Sequence, residues 1–112
     1  MTHKEGTMAD FVLLYRGGSM PETDEARAAA MDAWTSWFGT LGSAVKDPGN
    51  PFTETAKSIS GNGAISDIAA GTATGYSIIE ADSLDAAVDL AKGCPVLQGG
   101  AEVHVHETFP VM

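Results

Sequence analysis

The residues with side chains most suited to binding and transforming a small molecule are Tyr15, Arg16, Trp34, Asp47 and Asn50. Arg16 ends a short apolar run and is one of only six lysines and arginines, so it could orient an anionic or carbonyl-bearing ligand. Asp47 and Asn50 belong to a turn with two prolines and a glycine, which would hold them rigidly. In this hypothesis Asp47 acts as acid or base and the aromatic residues wall a dry pocket. In the alternative, Asp47 and Asn50 only build the turn and the tryptophans only fill the core.

Two histidines, His104 and His106, are spaced to lie on one side of a predicted strand. This spacing could offer two imidazoles to a metal ion, with Glu80 as a third ligand if its strand lies close. No third histidine is well placed, so we predict sheet-face or interface histidines and no tightly bound metal. The chain also has no glycine-rich phosphate loop, since Gly17-Gly18 is too short, and we expect no cofactor.

Cys94 is the only cysteine, so an intramolecular disulfide is impossible, which suits a reducing compartment. It follows the predicted end of a helix, where the helix dipole disfavours a thiolate. We therefore predict that Cys94 packs in the core and is not a nucleophile.

Composition excludes several classes of partner. The chain has 112 residues, which suits one domain, and its 15 acidic residues against six lysines and arginines give a formal net charge of −9. Nucleic acid and anionic membranes attract clustered cations, so we expect neither as a partner. The first residues lack an apolar targeting segment, and no apolar run approaches the roughly 20 residues that span a bilayer. We expect a cytoplasmic protein, with residues 1–9 disordered and residues 10–112 forming one domain.

The stretch from residue 75 to residue 100 predicts a strand, a helix and a loop. The strand is Tyr76–Ala81, and Asp82 or Ser83 is the expected N-cap of the helix. Gly93 is placed to end this helix in a left-handed conformation, and Pro95 prevents its continuation. A helical stripe of apolar residues is expected to be buried: Leu84, Ala87, Val88 and Ala91. A further strand is predicted over Ala101–Glu107.

The first half of the chain predicts a strand over Phe11–Arg16 and then a helix, for which Ser19 and Glu22 could form a capping box. The helix should bury a wide face of large side chains: Ala30, Met31, Trp34, Trp37, Phe38 and Leu41. A brief strand is predicted over Ser43–Lys46, a hairpin around Gly61-Asn62-Gly63 and an exposed loop over Gly71–Gly75.

The resulting β-α-β-β-α-β order is that of a ferredoxin-like α+β fold, with two helices on one face of an antiparallel sheet. Alternation along the strands puts Tyr76, Ile78 and Glu80 on one side of theirs, and His104 and His106 on one side of the last strand. If these form the helix-free face, it is too apolar for solvent and too polar for a core. We therefore predict a homodimer that packs these faces around a partly polar cavity.

The sequence resembles one subgroup of the YciI-related, or DGPF-domain, family over nearly the whole chain after residue 9. The segments that carry the resemblance are YRGGSMPET, LGSAVKDPGNP, GYSIIEADSLDAAVDLAKGCPVL and GGAEVHVHE, together with the helix of Trp34 and Trp37. The resemblance implies a dimeric α/β barrel. The family has a proposed histidine–aspartate site, but this chain has Trp34 at the helix position where we place that histidine, and residues 66–71 replace the Asp-Gly-Pro-Phe signature.

Two functions are compatible with these residues. The first is a module that binds a small anionic or carbonyl-bearing metabolite in a cleft between subunits. The second is a cofactor-independent enzyme of isomerase, lyase or oxygenase type, with Asp47 or a histidine as acid or base. The residues expected at the ligand are Tyr15, Trp34, Asn50, Tyr76 and His104, with Asp47 and Arg16 in the catalytic roles.

Overall fold

The computed structural model describes residues 8–18, 22–53, 55–68 and 73–110. Within these ranges the elements are β1 (Ala9–Arg16), α1 (Asp24–Leu41), β2 (Val45–Asp47), β3 (Lys57–Ile59), β4 (Ile65–Asp67), β5 (Ala73–Ala81), α2 (Leu84–Ala91) and β6 (Glu102–Glu107). Short 3-10 helices follow α1 and precede β6, at Gly42–Ala44 and Pro95–Gly99. None of the helices described is long and apolar enough to cross a membrane.

The main sheet has four strands in the order β2-β5-β1-β6, and every neighbouring pair is antiparallel. The core cluster combines alternate strand residues with residues of both helices, such as Leu13, Ile79, Trp37 and Ala87. One face of the sheet therefore carries the helices. The predicted α+β class is confirmed, and the strand order is compatible with a ferredoxin-like fold.

The other face of the sheet, which we call the open face, carries the residues that alternate with the core. Leu14 lies opposite both Tyr76 on β5 and His104 on β6. Val12 lies opposite Ile78 and His106 in the same way. Directly paired residues of antiparallel strands point to the same side, so the predicted grouping of these β5 and β6 residues on one face is confirmed.

The start of α1 differs from the prediction. Thr23 is the N-cap, and its hydroxyl accepts a hydrogen bond from the Ala26 amide at 3.0 Å. Glu22 therefore precedes the helix, so the predicted capping box does not start it, and Ser19 lies outside the described residues. The buried face is also narrower than predicted, because Met31 is 66% exposed while Trp37 and Leu41 are buried.

Helix α2 begins as expected and ends differently, and its predicted buried stripe is wrong at Leu84, which is 45% exposed. The Ser83 hydroxyl caps it by accepting a hydrogen bond from the Ala86 amide at 3.0 Å. Gly93, however, is not among the glycines with positive φ, so its predicted left-handed conformation is wrong. A Cβ at Gly93 would lie 3.2 Å from the Trp37 ring, so the glycine allows the segment after α2 to pack closely against α1. The Trp37 indole N–H also donates to the Leu90 carbonyl at 3.1 Å.

Strands β3 and β4 form a separate two-stranded hairpin around the predicted turn, with Ile59 opposite Ile65. All residues of this hairpin are exposed. The predicted loop over 71–75 is wrong from Ala73 onward, because β5 already begins there; residues 71 and 72 lie outside the described residues. The first residues of β5 are hydrogen-bonded to the segment after the turn, since the Phe52 amide donates to the Thr74 carbonyl at 2.8 Å. Ala9 belongs to β1, and the rest of the predicted disordered start lies outside the described residues except for Met8.

Candidate functional site

The turn over residues 47–51 is pressed against β5 at the edge of the sheet. The Gly49 amide donates to Asp47 Oδ1 at 2.8 Å, and the Tyr76 amide donates to the Asn50 carbonyl at 3.3 Å. Gly49 has a φ of +73°, and a Cβ at this position would lie 1.7 Å from the Tyr76 carbonyl oxygen. Only glycine fits this approach, so the residue types of the turn fix its shape and hold Asp47 in place.

Asp47 and Tyr76 form a hydrogen-bonded pair on the open face. The Tyr76 hydroxyl donates to Asp47 Oδ2 at 3.3 Å, and the carboxylate side chain is part-buried. The negative charge of Asp47 raises the pKa of the Tyr76 phenol above its ordinary value. The phenol therefore keeps its proton at neutral pH. Phe52 stacks on Tyr76 with ring centroids 5.9 Å apart, so an aromatic pair borders the carboxylate.

The middle of the open face is apolar and separates two polar groups. Leu14 stands between Tyr76 and His104, which places their backbones two strand spacings, or roughly 10 Å, apart. His104 Nε2 lies 3.1 Å from Glu102 Oε1 on the same strand. A small molecule lying over Leu14 would have Tyr76 on one side and His104 on the other.

Charged groups lie at both ends of the open face. Arg16 follows Leu14 by two residues on β1, and it lines a shallow pocket of about 270 Å³ with Gly17, Gly100 and Glu102. At the far end of the face Asp10 lies opposite Glu80, whose carboxylate is 3.5 Å from the Lys46 amine. Acidic side chains therefore outnumber cations at that end. At the end nearer Tyr76 and His104, Arg16 lies directly opposite Glu102.

Tyr15 and Trp34 do not reach this site. Tyr15 is 6% exposed and meets Trp34 edge to face, with ring centroids 5.4 Å apart, in the core beneath the helices. Consecutive strand residues point to opposite sides of a sheet, so Tyr15 and Arg16 cannot share a pocket on one face. Tyr15 and Trp34 therefore lie on the core side of the sheet, and the prediction that they wall a ligand pocket shared with Arg16 is wrong. Asn50 is at the site's edge and contributes its backbone carbonyl.

Sequence reasoning missed Ser77 and Phe52. Ser77 is fully buried, accepts a hydrogen bond from the Tyr15 hydroxyl at 2.6 Å and donates one to the Pro48 carbonyl at 2.7 Å. Its signal was a serine at a core position of an otherwise apolar strand, since a buried hydroxyl needs a partner. Burial raises the pKa of the Tyr15 phenol well above its ordinary value. No sequence pattern indicated the role of Phe52, because its stacking on Tyr76 depends on how the segment after the turn pairs with β5.

The remaining candidates have simpler roles. Cys94 is buried, as predicted, and burial raises the pKa of its thiol. The third metal ligand suggested by the sequence is not adjacent to the histidines, since β1 lies between the strand of Glu80 and the strand of His104 and His106. Among the residues that the structure describes, no group of three or more histidine, cysteine, aspartate or glutamate side chains is placed to hold a metal ion.

The fold and the site together define an α+β protein with two helices on one face of a four-stranded antiparallel sheet and a polar–apolar site on the other. Models of known protein families give no match to this chain. A search of functionally characterised proteins gives no match either.

Proposed function

We propose that this chain is a YciI-related protein that dimerises through its open face and binds a small anionic or carbonyl-bearing metabolite between the two sheets. The strand order supports this proposal, because two ferredoxin-like units can pack sheet to sheet as a dimeric α/β barrel. The composition of the face supports it as well. Val12, Leu14 and Ile78 are only half-buried in the single chain, and a second sheet would remove their apolar surface from water.

One observation carries the ligand class: Arg16 stands at the end of the open face where Tyr76 and His104 flank an apolar centre. An anionic head group would bind the guanidinium through charge-assisted hydrogen bonds. The Leu14 side chain and the stacked rings of Tyr76 and Phe52 would contact the rest of the molecule. Dimerisation would exclude water from this cleft and strengthen the charge-assisted hydrogen bonds to the guanidinium.

Sedimentation velocity tests the dimer. Leu14→Lys places a charge at the centre of the open face, so we expect this variant to sediment as a monomer while the parent chain sediments at twice the chain mass. Met31→Lys is the matched control, since Met31 is an exposed residue of α1, and it should leave the dimer intact. A parent chain that is monomeric at micromolar concentration contradicts the proposal.

Calorimetric titration with a panel of small carboxylates, keto acids and phosphates tests the ligand class. Arg16→Met should weaken binding of the best compound at least about tenfold, equivalent to about 1.4 kcal/mol, and melt within a few degrees of the parent. Arg27→Met removes the same charge from an exposed position of α1 and should bind as the parent does. If Arg16→Met binds the best compound as tightly as the parent does, the proposed anionic class of ligand is wrong.

The Asp47–Tyr76 pair favours a second function, a cofactor-independent enzyme of isomerase, lyase or oxygenase type. A carboxylate fixed beside a protonated phenol can accept a proton from a bound substrate while the phenol donates a hydrogen bond. Asp47→Asn keeps an oxygen for the Gly49 amide and removes the base. Turnover lost in this variant with ligand affinity retained supports the enzyme, whereas a ligand that no variant transforms supports the binding module.

A further inference from the structure

A chain of hydrogen bonds connects the core to the peptide that holds Asp47. The Pro48 carbonyl can only accept, so the Ser77 hydroxyl donates its proton there, at 2.7 Å. Ser77 must then accept from the Tyr15 hydroxyl, at 2.6 Å, and both protons of the chain are assigned. Ser77 is fully buried and Tyr15 nearly so, which makes an unmade bond costly for either hydroxyl.

The acceptor of this chain belongs to the same peptide unit as the donor that binds Asp47. The C=O of the Pro48–Gly49 peptide accepts from Ser77, and its N–H donates to Asp47 Oδ1 at 2.8 Å. A trans peptide is planar, so the C=O and N–H point in opposite directions and cannot turn independently. Fixing the carbonyl on the helix-covered side therefore fixes the amide toward the Asp47 carboxylate, which in turn accepts from Tyr76 on the open face.

We propose that Ser77, supported by Tyr15, is a positioning residue that orients the Pro48–Gly49 peptide and through it sets the Asp47 carboxylate against the Tyr76 hydroxyl. This inference rests on the proposed function, in which Asp47 and Tyr76 border the ligand. It adds that the geometry of the site is held from the opposite side of the sheet, by two residues that touch no ligand. Gly49 makes this contact possible, because any Cβ there would collide with the Tyr76 carbonyl.

The chain contains only two tyrosines, which allows a direct test by titration of phenolate absorbance. Tyr15→Phe leaves the Ser77–Pro48 hydrogen bond in place, and its only remaining phenol is Tyr76, whose pKa should lie above the ordinary value near 10. Adding Asp47→Asn should return that pKa toward about 10 and so measures the whole effect of the carboxylate. Adding Ser77→Ala instead should abolish at least about half of the same shift, because the carboxylate is no longer held beneath the phenol.

Thr74→Ala is the matched control, since Thr74 is a second hydroxyl of β5 and donates to the Tyr15 backbone carbonyl at 3.1 Å. It removes one hydrogen bond from the same strand without touching the Pro48–Gly49 peptide, and should leave the Tyr76 pKa unchanged. A folded Ser77→Ala variant with an unchanged Tyr76 pKa overturns the proposal, as does a Thr74→Ala variant that lowers the pKa equally.

A second measurement covers variants that fail to fold. Carbon-13 labelling of the tyrosine rings separates the two phenols by nuclear magnetic resonance, with Tyr76→Phe assigning them, so the Tyr15 hydroxyl can be retained. Ser77→Cys keeps a side chain of similar size with a weaker donor, so it should lower the Tyr76 pKa part of the way toward its ordinary value. A Tyr76 pKa equal to that of the parent overturns the proposal. All titrations use ligand-free protein. If the Ser77 variants leave the Tyr76 pKa unchanged, the positioning role is refuted and the proposed function is not. If they lower the pKa as expected but the parent binds no compound of the panel, the proposed function is refuted and the positioning role is not.

Discussion

Gly49 shows how a single residue shapes the candidate site, because its backbone touches the carbonyl of Tyr76 in the neighbouring strand. A Cβ at this position would lie 1.7 Å from that oxygen, and the φ of +73° adds a left-handed conformation that L-residues avoid. We expect Gly49→Ala to lower the free energy of unfolding by at least about 2 kcal/mol. Urea denaturation measures this loss.

The control for this substitution is Gly39→Ala in α1. A Cβ at Gly39 meets no atom within 4 Å, and alanine is the better helix former, so the variant should be unchanged or more stable by up to about 1 kcal/mol. Equal stability of the two variants would show that the close contact at Gly49 relaxes without cost.

Tyr15 should make the protein less stable at alkaline pH. Burial raises its pKa in the folded chain, while in the unfolded chain the phenol ionises near 10. Above pH 10 the folded state thus binds a proton that the unfolded state has released, so the free energy of unfolding falls as pH rises. We expect Tyr15→Phe to reduce this decline.

Urea unfolding between about pH 8 and about pH 11 compares the two slopes. Both proteins carry Cys94→Ala, because burial raises the pKa of the Cys94 thiol and this side chain interacts with Tyr15, so its own decline from near 8.5 would differ between them. Tyr76 contributes to both. Identical slopes for the parent and Tyr15→Phe would mean that the buried phenol does not titrate differently in the folded chain.

At the scale of elements, the β3–β4 hairpin and the core strand β5 should respond differently to the same substitution. Ile79 on β5 is fully buried, whereas Ile59 on β3 is 72% exposed. Ile79→Ala should lower the free energy of unfolding by about 2–5 kcal/mol, since it leaves a cavity. Ile59→Ala should change it by less than about 0.5 kcal/mol in the monomer.

Chemical denaturation at a concentration that keeps the chain monomeric checks this pair of values. A large loss for Ile59→Ala under those conditions would mean that the hairpin packs on the body of the chain. A loss that appears only where the chain is dimeric would instead place the hairpin in the contact between copies.

The edge of the sheet at β2 is an element-scale feature with a clear physical role. This strand has three residues, and the turn after it contains Pro48 and Pro51. Proline donates no backbone hydrogen bond and a short, interrupted edge offers few groups for pairing, so this edge is protected against further strands. The same interruption directs Asp47 toward Tyr76 and leaves the turn resting on Ser77.

At the scale of the whole molecule, charge should govern the proposed dimer. Each chain carries a formal net charge of −9, so two copies repel each other. Raising the sodium chloride concentration from about 0.1 M to about 1 M shortens the screening length from about 10 Å to about 3 Å. We therefore expect the dimer dissociation constant to fall as salt rises, measured by sedimentation equilibrium.

Two variants test whether the repulsion between the copies comes from charges on the open face. Asp10→Asn removes a negative charge from that face, opposite Glu80, and should weaken the salt dependence. Asp32→Asn removes the same charge from an exposed position of α1 and should have a smaller effect. A dimer that weakens with salt would mean that ion pairs between the copies outweigh their repulsion.

Local patterns in the sequence were enough to predict the class of fold, the residues that share the open face and the hairpin around Gly61-Asn62-Gly63. These features follow from local geometry: side chains alternate every two residues along a strand, and glycines set the turns. The same alternation already indicates that Tyr15 and Arg16 point to opposite sides of β1 and cannot share one pocket. The N-cap of α2 was predicted as Asp82 or Ser83 from residue type, and the structure shows that it is Ser83.

Which of these residues are in contact depends on how the distant parts of the chain pack together. Asp47 and Tyr76 are 29 residues apart, and their hydrogen bond depends on how β2 and its turn pair with β5. The contact of Ser77 with Pro48 depends on the same register, and the role of Gly93 depends on where the Trp37 ring packs. Strand register and helix packing are set by the whole core together, so contacts between distant residues cannot be read from local spacing.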